Sequence, residues 1–306
     1  MRGAASKSAA TLAGATLIGI ALAIIAMACF ATLDTLTKYI STGVPVFMAI
    51  WFRYTVQAVL TTAVVLPMRG KQVLYTAHPK FQALRGVLLV STSLLAYVSL
   101  KFIPMGEFTA VVMIAPLIIT LLAATLLKEK VSPLRWALVA GGFTGTLIII
   151  RPGHDVFEWH TLLPVALAFL MAWFQTLTSK LAKTEDPATM HLYTGWAGAL
   201  VSALGLPFVW QSLPSLKLWG LMAFIGVLGA VGHFLLILAY QRAPAATVTP
   251  YLYTQIGFAM LGGWLLFAHV PDGPAIFGMA MIAVCGAVGA WLVVRQGKMV
   301  LEPADS

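Results

Sequence analysis

Long apolar runs recur along this chain with only short polar breaks between them, and that spacing leaves very few ways to fold. A spanning helix needs about 20 apolar residues. The bilayer interior offers the backbone no partner, so each span must satisfy its own N–H and C=O groups. The runs put helices near 12–39, 45–66, 81–101, 106–127 and 134–150, then near 161–182, 189–210, 217–240, 245–267 and 274–294. With 306 residues, 9% of them charged, and a mean hydropathy of +0.92, the chain lacks the polar surface of a soluble domain, where about 25% charged residues is usual. The expected fold class is all-α integral membrane, with ten transmembrane helices. Cys29 and Cys285 lie inside apolar runs and offer neither a disulfide framework nor metal spacing. Arg2, Lys7 and the stretch to Ala26-Met27-Ala28-Cys29 imitate a signal peptide or lipoprotein box, but the apolar pattern continues past Cys29 and recurs downstream, which favours a retained first helix.

The basic residues set the orientation. With the N-terminus in the cytoplasm, fourteen of the 19 Lys and Arg fall inside, among them Arg69, Lys71, Lys80, Arg85, Lys180 and Arg242. Four fall outside, Lys38, Lys101, Arg151 and Lys217, and Arg53 stands within a helix. The positive-inside rule then places both termini in the cytoplasm. The net charge of +9 is a topology signal rather than a nucleic-acid footprint, so no nucleic-acid partner is expected.

The two halves echo each other at an offset of about 140 residues. Leu100-Lys101-Phe102-Ile103-Pro104 aligns with Tyr240-Gln241-Arg242-Ala243-Pro244, Tyr54-Thr55 with Tyr193-Thr194, Gly86 with Gly226, and Arg151-Pro152-Gly153 with Arg295-Gln296-Gly297. The order and spacing of these matches divide the chain into residues 1–153 and 154–306. Five helices per copy invert the second copy, an arrangement that places a binding site between the copies near the membrane midplane.

Lys38 at the end of helix 1, Arg53, Arg85-Gly86, the stretch from Tyr97 to Pro104, Ala115-Pro116, Leu127-Lys128-Glu129, Arg135-Trp136, Gly141-Gly142 and Arg151-Pro152-Gly153 follow a known pattern. They resemble the drug/metabolite transporter superfamily, specifically its ten-helix EamA-type members. The second copy departs from that pattern: Ile256 stands where the partner of Pro116 belongs, and His269 stands opposite Glu129. The resemblance implies a multi-pass protein of the bacterial inner membrane and a small-molecule substrate. It also implies a homodimer contact through the last helices of each half. That family includes exporters of amino acids and other metabolites, and importers of riboflavin or S-adenosylmethionine.

Charge within a span usually faces a cavity or a partner. Arg53 lies about 12 Å from the outer end of its helix. Asp34 and Lys38 sit one turn apart on helix 1, and Glu107 lies just inside the outer end of helix 4. Two roles are open. Asp34 and Glu107 can neutralise Lys38 and Arg53, or Arg53 can meet a substrate carboxylate while an acid carries a coupling proton. Glu107 is the preferred carrier, because Lys38 one turn from Asp34 is expected to hold that acid ionised. Aromatic and amide residues supply the rest of a candidate substrate lining: Tyr54, Gln57 and Tyr97 in the first half, and Trp173, Gln175, Tyr193, Tyr251 and Gln255 in the second. His233 and Tyr240 mark helix 8. The outer segment His154 to His160 contains two histidines and two acids, a composition that solvated loops share with metal sites. Gly141 with Gly145, and Gly286 with Ala290, have the small-xxx-small spacing of close helix contacts.

Enzymatic readings fare poorly. Ser91 and Ser93 lack a glycine-framed nucleophile motif, and no HExxH or phosphate loop occurs. No cofactor, no catalytic set and no metal centre is expected. The favoured function is alternating-access transport of amino acids or other small organic metabolites, more readily outward, with vitamin or nucleotide-like import as the alternative.

Overall fold

In the computed structural model the described residues are 2–115, 117–118, 133–150, 158–213, 215–243, 248 and 251–301. Expectations about Pro116, Lys128, Glu129, Arg151 to Phe157 and Pro244 lie outside them, as do side-chain contacts of Arg135. The described residues are helical, with no strand among them. The helices are α1 (Arg2–Ile40), α2 (Val46–Arg69), α3 (Pro79–Phe102), α4 (Met105–Val112), α5 (Pro133–Ile150), α6 (Leu163–Leu181), α7 (Pro187–Ala203), α8 (Leu216–Arg242), α9 (Thr254–Phe267) and α10 (Gly273–Leu301). A single turn, Leu206–Val209, follows α7.

Local chemistry explains the starts. Pro79, Pro164 and Pro187 occupy first-turn positions, where the missing N–H is harmless. Asp186 caps α7 by accepting from Ala188 and Thr189, and Ser215 caps α8 by accepting from Leu218. At the other end of α2, Gly70 takes φ +66, which a side chain would resist. The expected span 189–210 is shorter than read: α7 stops at Ala203 before Gly205, and the chain then turns through Leu206–Val209.

Four helical stretches, Gly14–Ile40, Val46–Leu74, Pro79–Phe102 and Leu216–Arg242, are long and apolar enough to cross a membrane. Shorter apolar helices accompany them at Trp136–Ile149, Thr254–Phe267 and Gly273–Val288. Large apolar side chains such as Phe143, Trp264, Leu265, Phe277 and Val284 stand exposed on the outer faces. Water would not tolerate so much apolar surface, whereas lipid accepts it.

The principal packing runs across the two halves. Helix α1 packs on α8 and α9, α2 on α7 and α8, α3 on α6 and α7, α4 on α9, and α5 on α10. Small residues permit this closeness. A Cβ added to Gly145 would come within 2.8 Å of the Gly278 carbonyl oxygen, and one on Gly278 within 2.6 Å of the Gly145 oxygen. The glycine face of α5 therefore lies against α10 of the same chain, as close packing requires.

Arg85 changes the charge reading. The sequence counts it among inner charges, but α3 begins at Pro79 and the side chain is 1% exposed inside the bundle.

Candidate substrate cavity

Each surrounding helix turns one stripe toward a common space. Phe30 and Asp34 do so on α1, Leu89, Thr92, Ser93 and Ala96 on α3, Phe108, Thr109 and Val112 on α4, and Met171, Phe174 and Gln175 on α6, with members three or four residues apart sharing a helix face. Arg53 of α2, His233 of α8 and Gln255 of α9 complete the polar lining. The cavity has a volume of about 80 Å³, below the usual range for small-molecule sites, so a metabolite enters only as the lining side chains part.

Arg53 is the organising group. Its Nη1 donates to Ser93 Oγ at 3.1 Å, and its Nη2 lies 3.2 Å from His233 Nε2. Arginine has no acceptor, so His233 Nε2 must accept and the ring proton sits on Nδ1. Tyr54 lies beneath the guanidinium, 5.4 Å from ring centroid to carbon, and its hydroxyl contacts Ser93 Oγ at 2.7 Å and the Leu89 oxygen at 2.9 Å. Among the described residues Arg53 Nε is buried without a partner, as is Thr109 Oγ1 in the same lining. Buried donors without partners are uncommon and want an explanation. A ligand in this cavity is a natural one. Gly229 makes room for the arginine: a Cβ there would sit 3.1 Å from Arg53 Nε.

Asp34 accepts from Gln255 Nε2 at 3.2 Å, and Gln175 accepts from Tyr240 at 3.2 Å. The expected tie of Lys38 to Asp34 is corrected. Lys38 Nζ instead donates to the Leu100 and Ile103 oxygens at 2.7 and 2.8 Å, filling the open carbonyls at the end of α3. Asp34 is left facing the cavity.

Other candidates go elsewhere. Glu107 is not in the cavity lining and pairs with His269 at 3.1 Å, across α4 and the loop after α9. Gln57 is buried near His191, with 3.4 Å between their nitrogens. Tyr97 donates to the Val44 oxygen and lines a smaller adjoining space that Asp34, Arg53 and Ser93 also reach. Trp173 is 47% exposed on the outer face of α6. Tyr193 donates to the Leu74 oxygen, and Tyr251, half-buried, stays outside the lining. Just before α6, His160 Nδ1 lies 3.0 Å from Glu158.

The sequence reading passed over the phenylalanines. Phe30 and Phe174 flank the His233 ring, with centroids 4.7 and 5.9 Å away, and Phe108 adds a third aromatic wall. Their recurrence beside Asp34, Glu107 and Gln175 is the only signal the sequence carried.

Comparison with known proteins gives consistent results. The sequence profile of the EamA-like transporter family matches residues 17–151. A riboflavin transporter of Rhizobium johnstonii is 32% identical, over 83% of this chain and 84% of the relative. An S-adenosylmethionine uptake transporter of Rickettsia bellii is 26% identical, over 81% of this chain and 85% of the relative. A solved crystal structure superposes with a TM-score of 0.66 over 93% of this chain and 98% of the other, at 22% identity, and so shares the fold.

Proposed function

We propose a substrate and a direction from a plain premise: the chain belongs to the EamA-like transporter family of the drug/metabolite transporter superfamily. It is a multi-pass membrane protein that transports a small molecule. Its substrate is a planar heteroaromatic metabolite, riboflavin first among them, taken up into the cell. The observation that carries this reading is a cavity with three phenylalanine walls, two amides and one guanidinium. A flat ring lies well against phenyl faces, and Gln175, Gln255 and Arg53 can hydrogen-bond an imide edge. The names of the relatives point the same way. Purified protein in liposomes is expected to accumulate labelled riboflavin saturably, with competition by unlabelled flavin and not by amino acids. Absence of flavin binding and flux, alongside robust exchange of an amino acid or S-adenosylmethionine, would overturn it.

One feature favours a second reading. Asp34 and Arg53 line the same cavity with opposite charges, which suits a zwitterionic, amino-acid-like metabolite and is compatible with export. Catalysis has less support: both Ser93 and His233 are engaged by Arg53, and no serine–histidine bond occurs among the described residues.

The architecture we assign is two inverted five-helix copies, residues 1–153 and 154–306, with ten spans and both termini cytoplasmic. Support comes from the packing: exchanging the halves turns the α1–α8 contact into the α3–α6 contact, and the α3–α7 contact into the α2–α8 contact. Taking Arg85 out of the inner fourteen leaves thirteen basic residues against four, still a strong bias. A reporter active only in the periplasm should stay silent after Lys71, Lys130, Lys183 or Arg242 and give signal within 154–158. The reverse pattern would refute the orientation.

A further inference from the structure

Arg85 is among the largest fully buried side chains of the protein, yet no carboxylate meets it among the described residues. Its Nε donates to Thr178 Oγ1 at 3.1 Å, and its Nη1 donates to Gln82 Oε1 at 3.0 Å and the Met190 oxygen at 3.2 Å. All three acceptors are neutral, and Nη2 takes part in none of these bonds. The two acids just before α7 are engaged elsewhere, Glu185 with His78 and Asp186 with Arg69. A buried cation is costly unless an anion or a strong set of acceptors answers it. Tying α3 to α6 and α7 needs only a neutral donor, so helix fastening alone does not account for a permanent charge here.

The guanidinium opens onto a separate small space of about 10 Å³, room for about one water, lined also by Thr178, His191, Thr194, Phe174 and His233. Phe174 and His233 line the central cavity as well. They form the wall between the two spaces, in edge contact at 5.9 Å, with the Arg85 guanidinium carbon 5.3 Å from the Phe174 ring centroid. The pocket lies toward the end of the bundle where α3 starts, α6 ends and α7 starts, which is the cytoplasmic end in the proposed orientation.

We propose that this pocket is an oxyanion subsite: Arg85 receives the carboxylate or phosphate of a metabolite whose ring or chain occupies the central cavity. A planar guanidinium suits either group through two parallel hydrogen bonds. Rotation of the Phe174 ring joins the two spaces and widens the smaller one, so one molecule spans both. The subsite extends the ligand range to anionic derivatives of the transported molecule, and those made inside the cell reach it first. This inference rests on the transport reading of the central cavity, but not on which ring that cavity prefers.

Inorganic phosphate tests it on the full chain in lipid nanodiscs, at matched ionic strength with chloride as control. Phosphate should raise the Tm of the wild type saturably, by about 2–4 °C. The rise should persist in Arg53→Gln and be mostly lost in Arg85→Gln. Thr194→Met, which fills the pocket and keeps the arginine, should lose it too and decides the matter if Arg85→Gln does not fold. A wild type indifferent to phosphate overturns the subsite, as does a response undiminished in Thr194→Met. Riboflavin uptake in liposomes is measured separately, so either proposal can fail while the other stands.

Discussion

Arg53→Ala should lower substrate flux at sub-saturating concentration by about 10²-fold while the protein stays in the membrane. The change removes the guanidinium that joins Ser93 of α3 to His233 of α8 and presents an unpartnered Nε. A hydrogen bond to a charged group contributes about 1.5–3 kcal/mol, and each 1.4 kcal/mol is about tenfold. One lost substrate contact with some loss of positioning gives the stated range. Arg53→Lys should recover little, because an ammonium cannot span Ser93 and His233 in the plane that a guanidinium does. Initial rates in liposomes, normalised to protein incorporated, measure this. Rates within twofold of wild type in Arg53→Ala would remove Arg53 from the transport path.

The second large effect concerns coupling, which we assign to Asp34. A coupling acid must share a space with the substrate, so that occupancy and protonation influence each other. Asp34 meets that condition and Glu107 does not. Proton arrival at Asp34 deletes a negative charge in the cavity that Arg53 also lines and loosens the bond from Gln255, freeing that amide for a ligand. Asp34→Asn should therefore abolish accumulation driven by a proton gradient, a loss of about tenfold or more in gradient-driven uptake. Substrate exchange across the membrane should survive. Normal gradient-driven uptake in Asp34→Asn excludes the assignment, and loss of exchange together with accumulation would make Asp34 a binding residue instead. Glu107→Gln, which breaks the pair with His269 and removes a charge that acts on Lys38, should leave coupling intact.

How much of this was legible beforehand follows from what lipid does to a sequence. Arg53, Asp34, Gln175 and Gln255 were readable because a polar side chain deep in an apolar run needs a reason to be there. Phe30, Phe108 and Phe174 were not, because a phenylalanine facing a cavity and one facing acyl chains look the same in sequence. Soluble helices separate inside from outside by polarity; here both sides are apolar. Trp173 and Tyr193 failed as cavity candidates for the same reason, since aromatic character marks outer surfaces as readily as binding sites. Arg85 was misplaced by position alone. Two helical turns from a loop, a basic residue belongs to the inner surface or to the core according to packing against α6 and α7, which comes from residues about a hundred positions later in the chain.

Arg53 and His233 are 180 residues apart, and that distance is also an interval of time. A ribosome adds about 5–20 residues per second, so the arginine waits about 10–40 s before the histidine is made. During that wait α2 has been delivered to the membrane, while α7 and α8, the helices that enclose it, have not. The guanidinium and the bared glycine-fitted faces of the first half then depend on the insertion machinery, on water defects or on Ser93 and Tyr54 for shelter. Slowing synthesis within the second half would prolong that exposure, and membrane quality-control proteases would find the half-made chain during it.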